Sequence, residues 1–222
     1  MTETAAITTS RPKVRLLGVI PEKWVSGFVN SLARLSDLLV RLNVSPNFIT
    51  FLALLAGLAA GILFAFSHPG WAVVLIFVCG ALDVVDGKVA VKAKKQSLYG
   101  AIFDSTLDRY SEFFIYFGLA YYFRGRWPMW IPYFTFLGST MVSYTRARAE
   151  GLGIECKVGF MQRAERMILL VLGTLVGTIF KVFDPAMIVV LTAIAVVSNI
   201  TALERTFFVR KIERRRKQNK EV

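Results

Sequence analysis

The chain has 222 residues, 55% of them hydrophobic and 19% charged, with a formal net charge of +12. Long apolar runs with so few charges exclude an ordinary water-soluble domain and point to an integral membrane protein. A single histidine, His68, and two distant cysteines, Cys79 and Cys156, give little basis for histidine catalysis, zinc chemistry or a structural disulfide.

The first 20 residues read as a polar arm and lack the apolar stretch of a cleavable signal peptide. Residues 21–43 then place Trp24, Phe28, Leu32, Leu35, Leu38 and Leu39 at helical spacing, with Lys23, Arg34 and Arg41 among the polar positions. That pattern predicts an amphipathic helix lying on the membrane. The NVSPN stretch, Asn43 to Asn47, ends it, and Ser45-Pro46 is a helix start. Six spanning segments are predicted over 48–67, 71–93, 98–123, 128–149, 163–181 and 184–208, each reaching the roughly 20 residues a bilayer requires. The expected fold class is therefore an all-α integral membrane protein, six transmembrane helices preceded by an amphipathic interfacial helix. Residues 1–44 would form the arm and juxtamembrane helix, 45–208 the six-helix domain and 209–222 a basic tail.

The basic charge follows this topology. Segments 1–48, 86–99, 145–166 and 205–222 hold 23 of the 27 lysines and arginines. The intervening connections hold only Arg124, Arg126 and Lys181. By the positive-inside rule, both termini and the loop after the second span face the cytoplasm, in the cell membrane. Topology and anionic lipid headgroups thus account for the net charge without nucleic acid.

Four aspartates interrupt the apolar pattern. Asp83 and Asp86 are three residues apart and share one helix face; Asp104 and Asp108 are four apart and share another. Ionised carboxylates are costly in hydrocarbon and mark functional sites there. Asp83 lies roughly 18 Å along the second span from its outer end, and Asp104 and Asp108 about 10–16 Å from the cytoplasmic end of the third. Both pairs therefore fall at a similar depth, which predicts one shared, all-oxygen site suited to Mg²⁺ or Mn²⁺. Gly87 and Gly100 let a ligand or a backbone come close. Lys88, Lys92, Lys94 and Lys95 between them suit a polyphosphate. Small residues at Ala53, Gly57 and Gly61, and at Gly173 and Gly177, are spaced for close helix packing.

The pattern Asp83-x-x-Asp86-Gly87-x-x-Ala90, followed by Gly100-x-x-x-Asp104-x-x-x-Asp108, resembles the signature of the CDP-alcohol phosphotransferases, membrane enzymes of phospholipid synthesis. The resemblance implies two divalent ions, Mg²⁺ or Mn²⁺, with Asp83, Asp86, Asp104 and Asp108 as ligands. It also implies Asp108 as general base for the acceptor hydroxyl, against the rival of a plain ligand role. Ser45, Pro46, Asn47, Gly87, Ser97 and Gly100 match the family's CDP-lipid contacts, and a homodimer is implied as well. The family usually has arginine after the alanine; here Val91 stands there, with Lys92 or Lys94 as replacement cations.

A second constellation follows. Arg146 and Arg148, then Lys157, Arg163 and Arg166, flank the loop between the fourth and fifth spans, and Arg205 sits near the end of the sixth. Positive-inside topology needs cations there but not this arrangement. Arg163 and Arg166 at a helix start favour a phosphate, since arginine forks and the helix dipole both do. Arg146, Arg148, Arg163, Arg166 and Arg205 are thus the expected acceptor-phosphate site. The stretches SYTRARAE and GFMQRAER are similar to the phosphatidylinositol phosphate synthase branch, which implies inositol 1-phosphate as acceptor. Glycerol 3-phosphate carries the same anion and is the competing acceptor. An ion-conducting role for the buried aspartates is the reading of another class, but conduction does not need the glycine spacing.

Overall fold

The structure is a computed structural model that describes residues 22–156 and 158–218, with the backbone alone for 22–30. The polar arm, Lys157, the end of the tail and the side chains of Lys23, Trp24 and Phe28 lie outside the described residues. Seven α-helices and no strand occur among the described residues. They are α1 (Glu22–Arg41), α2 (Pro46–Ala65), α3 (Pro69–Lys92), α4 (Leu98–Tyr122), α5 (Trp130–Gly151), α6 (Arg163–Ile179) and α7 (Phe183–Gln218), with a 3₁₀ turn at Trp127–Met129 before α5.

The helix ends follow local chemistry. Pro46 and Pro69 each stand in the first turn of their helix, where no intrahelical N–H is needed. Ser97 caps α4 by accepting from Gly100 N at 2.9 Å. Glu165 caps α6 by accepting from Gln162 N at 2.8 Å. Asn43, Ser67, Lys94 and Lys181 end α1, α2, α3 and α6 in left-handed conformation. Each is followed by a residue whose N–H reaches back five positions, closing a Schellman turn. At the C-terminus, α7 runs ten residues past the expected end at 208. RKIERRRKQ is made of good helix formers, and Glu213 pairs with Lys217 at 2.8 Å one turn on.

Small residues decide the packing. α2 lies between α3 and α4 and packs closely on both. A Cβ on Gly57 would stand 2.7 Å from Ser111 Cβ, and one on Gly61 would run into the backbone carbonyl of Phe114. The added carbon at Gly118 would meet the Gly61 carbonyl in turn. The helices therefore cross backbone against backbone, as stripes of small residues allow. On α6, Gly173 makes room for the Val190 side chain of α7 and Gly177 for the backbone of Phe183. We predict that Gly118→Val lowers stability by about 3 kcal/mol, the upper end for overpacking. Gly80→Ala, whose methyl meets nothing within 4 Å, should leave the melting temperature in detergent unchanged. Equal melting of the two variants would contradict the close crossing.

The interior is divided. Phe64, Ala72, Ile76, Ile115, Leu119, Phe123, Leu170, Met187 and Leu191 build an apolar core. They come from the end of α2, the start of α3, the later turns of α4, the middle of α6 and the start of α7, so they fill one half of the bundle. The opposite half, where α3 ends and α4 and α6 begin, carries the buried charged residues, among them Asp86, Glu112, Glu165 and Arg166. A smaller cluster of Leu32, Ile49, Val85 and Val89 holds α1 and α2 to α3 there. Outside, large apolar side chains such as Phe51, Phe77, Phe117, Phe134, Val189 and Ile200 are exposed. Two helices, α2 and α7, are long and apolar enough to cross a membrane by length and composition.

Candidate active site

The close approach of α2 to both neighbours lets carboxylates of α3 and α4 meet. One oxygen from each of Asp83, Asp104 and Asp108 lies within 4.8 Å of the other two. Opposed oxygens around a Mg²⁺ stand about 4.2 Å apart, at about 2.1 Å each. Three hard oxygen donors on that scale fit a divalent cation. Asp86 faces α2 instead: it is buried, and Thr50 Oγ1 donates to its Oδ2 at 2.7 Å. It remains within electrostatic reach of Asp83 and Asp104. The depth argument from sequence thus brings three of the four aspartates together and leaves the fourth a neighbour.

The cluster continues along α4. Glu112, one turn after Asp108, is buried at 3% exposure. Arg166, 1% exposed, donates to it through Nη2 at 2.9 and 3.2 Å. Arg163 spans the two sets: Nη1 is 2.7 Å from Asp83 Oδ1, Nη2 is 2.9 Å from Asp108 Oδ1 and Nε is 3.5 Å from Glu112 Oε1. Glu112 escaped the sequence reading, although Asp104, Asp108 and Glu112 recur every four residues and mark one acidic stripe on α4.

The starts of α2 and α4 also converge. A Cβ on Gly100 would stand 3.0 Å from Ser97 Oγ and 3.4 Å from Asn47 Oδ1. Glycine at 100 therefore keeps a polar crevice open beside two helix N-termini, a setting that favours anions. Ser45 and Pro46 precede Asn47 in the same turn, and Gly87 follows Asp86 in α3. Val91 is half exposed. Lys92 points away from the crevice to α1, donating to Asp37 Oδ1 at 2.6 Å and Ala33 O at 3.3 Å. Lys95 donates to Asn43 Oδ1 at 2.6 Å. Lys94, in its left-handed turn, is exposed.

The remaining arginines separate by environment. Arg146 pairs with Glu150 on the surface of α5 at 2.9 Å, and Arg148 is exposed. Arg205, 3% exposed, donates from Nη1 to Val142 O at 2.5 Å and from Nε to Val158 O at 2.9 Å. It so ties the loop between α5 and α6 to the body of the bundle. Gly159 in that loop has a φ of +110° and no room for a Cβ against Thr201, so only glycine fits beneath the arginine.

Oxygen-only ligands beside arginines, at the charged end of a helical bundle, are the equipment of a metal-dependent enzyme acting on phosphate esters. The profile of the CDP-alcohol phosphatidyltransferase family matches residues 43–204, and the chain belongs to that family. It is therefore a transferase of phospholipid synthesis, taking a CDP-alcohol donor and an alcohol acceptor and dependent on a divalent metal. The archaetidylinositol phosphate synthase of Methanothermobacter thermautotrophicus is 35% identical over 170 residues, 76% of this chain and 85% of that one. The phosphatidylinositol phosphate synthase of Streptomyces avermitilis is 31% identical over 195 residues, 83% of this chain and 80% of that one. A crystal structure of the Mycobacterium tuberculosis phosphatidylinositol phosphate synthase with CDP-DAG bound superposes with a TM-score of 0.73 at 28% identity. It covers 80% of this chain and 92% of that one. The same relative has been solved in complex with manganese and citrate, also with a TM-score of 0.73, at 27% identity over 80% of this chain and 88% of that one.

Proposed function

We propose that this chain transfers the lipid phosphate of a CDP-lipid such as CDP-diacylglycerol to inositol 1-phosphate, releasing CMP. The observation that carries this reading is the meeting of Asp83, Asp104 and Asp108 beside Arg163, the first residue of α6. The names of the relatives support inositol phosphate as acceptor. They include both archaetidyl and phosphatidyl enzymes, so either an ether or a diacyl donor fits.

In this reading Asp83, Asp86, Asp104 and Asp108 hold two divalent ions, Mg²⁺ or Mn²⁺. When bound, such ions neutralise the donor pyrophosphate as CMP departs. The residues do the rest. The crevice of Ser45, Pro46, Asn47, Gly87, Ser97 and Gly100 receives the nucleotide and its phosphates. Asp108 takes the proton of the acceptor hydroxyl. The hydroxyl oxygen bonds to the lipid-bearing phosphorus as the bond from that phosphorus to CMP breaks. Arg146, Arg148 and Arg163 carry the acceptor's phosphate, with Arg166 and Arg205 holding the frame around it. Val91 leaves the donor side without the family's arginine, and Lys94, exposed at the end of α3, takes its place.

Residues 45–208 form the catalytic domain, between the arm with α1 and the basic tail. Helices α2 to α7 are taken as six membrane spans, because apolar side chains cover their outer faces while fully buried charge is confined to one end of the interior. The lysine and arginine distribution turns that end, and both termini, to the cytoplasm. The protein works as a homodimer, as the family resemblance implies.

The test is CMP release by purified protein with CDP-diacylglycerol, Mg²⁺ or Mn²⁺, and either inositol 1-phosphate or glycerol 3-phosphate. Turnover with the inositol phosphate is expected. Turnover with glycerol 3-phosphate alone would make the chain a phosphatidylglycerol phosphate synthase instead.

A further inference from the structure

Arg163 is the first residue of α6, and its side chain reaches into the carboxylates rather than out to the loop. Its two terminal nitrogens are each paired with a different aspartate, Asp83 and Asp108, which also belong to the trio that fits a cation. The guanidinium so bridges the two carboxylates. A divalent ion held by the same two carboxylates would bring a second positive charge against the guanidinium. In a half-buried site such like charges are poorly screened. The third nitrogen, Nε, faces Glu112, which Arg166 grips with two hydrogen bonds in a fully buried pair. Arg163 is thus held most closely by the two aspartates, with the Glu112 carboxylate farther off at 3.5 Å.

We propose that Arg163 is a tethered competitor for the divalent cation. Metal loading moves its guanidinium off Asp83 and Asp108 and onto the acceptor's phosphate. This rests on the metal and acceptor assignments of the proposed function. The arginine neutralises the aspartates until a metal takes over that role, and the freed fork completes the anion site. Metal and acceptor phosphate then favour each other's binding, since coupling between two sites is reciprocal.

The test uses the purified full chain and reads Mn²⁺ affinity by electron paramagnetic resonance, with and without sulfate as a tetrahedral anion probe. Arg163→Ala is expected to bind Mn²⁺ about tenfold tighter than the parent, a typical size for coupled sites, and to melt at a lower temperature without metal. A residue that only supports the fold would weaken metal binding when lost. Sulfate should tighten Mn²⁺ binding in the parent and have little effect on it in Arg163→Ala. Unchanged or weaker Mn²⁺ binding by Arg163→Ala would overturn the proposal. So would a sulfate effect that persists in the variant, since the anion would then be acting on the metal directly. If Arg163→Ala does not fold, the parent decides: Mn²⁺ affinity indifferent to sulfate rejects the coupling. Arg163→Lys, which keeps the charge but loses the fork, should lie between parent and alanine variant. None of these measurements uses turnover. A wrong acceptor would appear only in the CMP assay, so the two failures are distinguishable.

Discussion

Asp108→Asn is expected to cut divalent-dependent CMP release from CDP-diacylglycerol by about 10³-fold, within the range for loss of a positioned base. Asparagine keeps the shape at 108, so the fold should persist. Asp108 sits where both roles assigned to it are possible: one of its oxygens belongs to the trio with Asp83 and Asp104, and it lies about two turns of α4 beyond Gly100. Metal titration separates the roles. If raising Mn²⁺ restores the rate of Asp108→Asn, Asp108 is a ligand only; a loss that no metal concentration repairs marks the base. The double variant Asp83→Asn with Asp104→Asn removes two of the three converging carboxylates and should abolish turnover. Activity surviving in it would remove the two-metal site altogether.

Glu112→Ala is expected to lower stability by about 3–5 kcal/mol, the cost of breaking a buried ion pair by deleting one partner. The size follows from Arg166. At 1% exposure its guanidinium has no solvent to turn to, and both hydrogen bonds of its Nη2 end on Glu112. Glu112→Gln, which keeps two polar atoms in place, should cost less. Arg146→Ala is the contrasting case, because the Arg146–Glu150 pair lies on the surface of α5. Exposed i,i+4 pairs contribute about 0.3–0.5 kcal/mol, so its melting temperature in detergent should barely move. Equal losses for Glu112→Ala and Arg146→Ala would mean that the buried network does not hold the charged half together.

Much of the helix layout was legible because its causes are local. Each of the six predicted apolar segments corresponds to a helix, with boundaries moved by a few residues where prolines, Ser97 or a left-handed residue set them. The one large departure is the extension of α7 into the basic tail expected from 209 on. Arginine, lysine and glutamate are good helix formers, and an existing helix needs no new nucleus to grow. The small-residue spacing at Ala53, Gly57 and Gly61 signalled close packing but not the partner. Only the placement of Gly118 opposite Gly61 shows that α4 is what it admits.

The site divides along the same line. That Asp83, Asp104 and Asp108 would share a level followed from helical rise and from the side on which each helix starts, quantities that run along the chain. Which cation faces them did not. Arg163 and Arg166 read alike in sequence, three residues apart at one helix start, yet one spans Asp83 and Asp108 while the other is sealed against Glu112. Arg205 read as a phosphate ligand and instead holds two backbone carbonyls. An arginine side chain is long enough to choose among several partners. The choice is made by whichever neighbouring helix presents an unmet carboxylate or carbonyl at that depth. Periodicity and spacing place a residue on its own helix. Partners on other helices depend on how closely those helices pack, and here that is set by glycines far away in the chain.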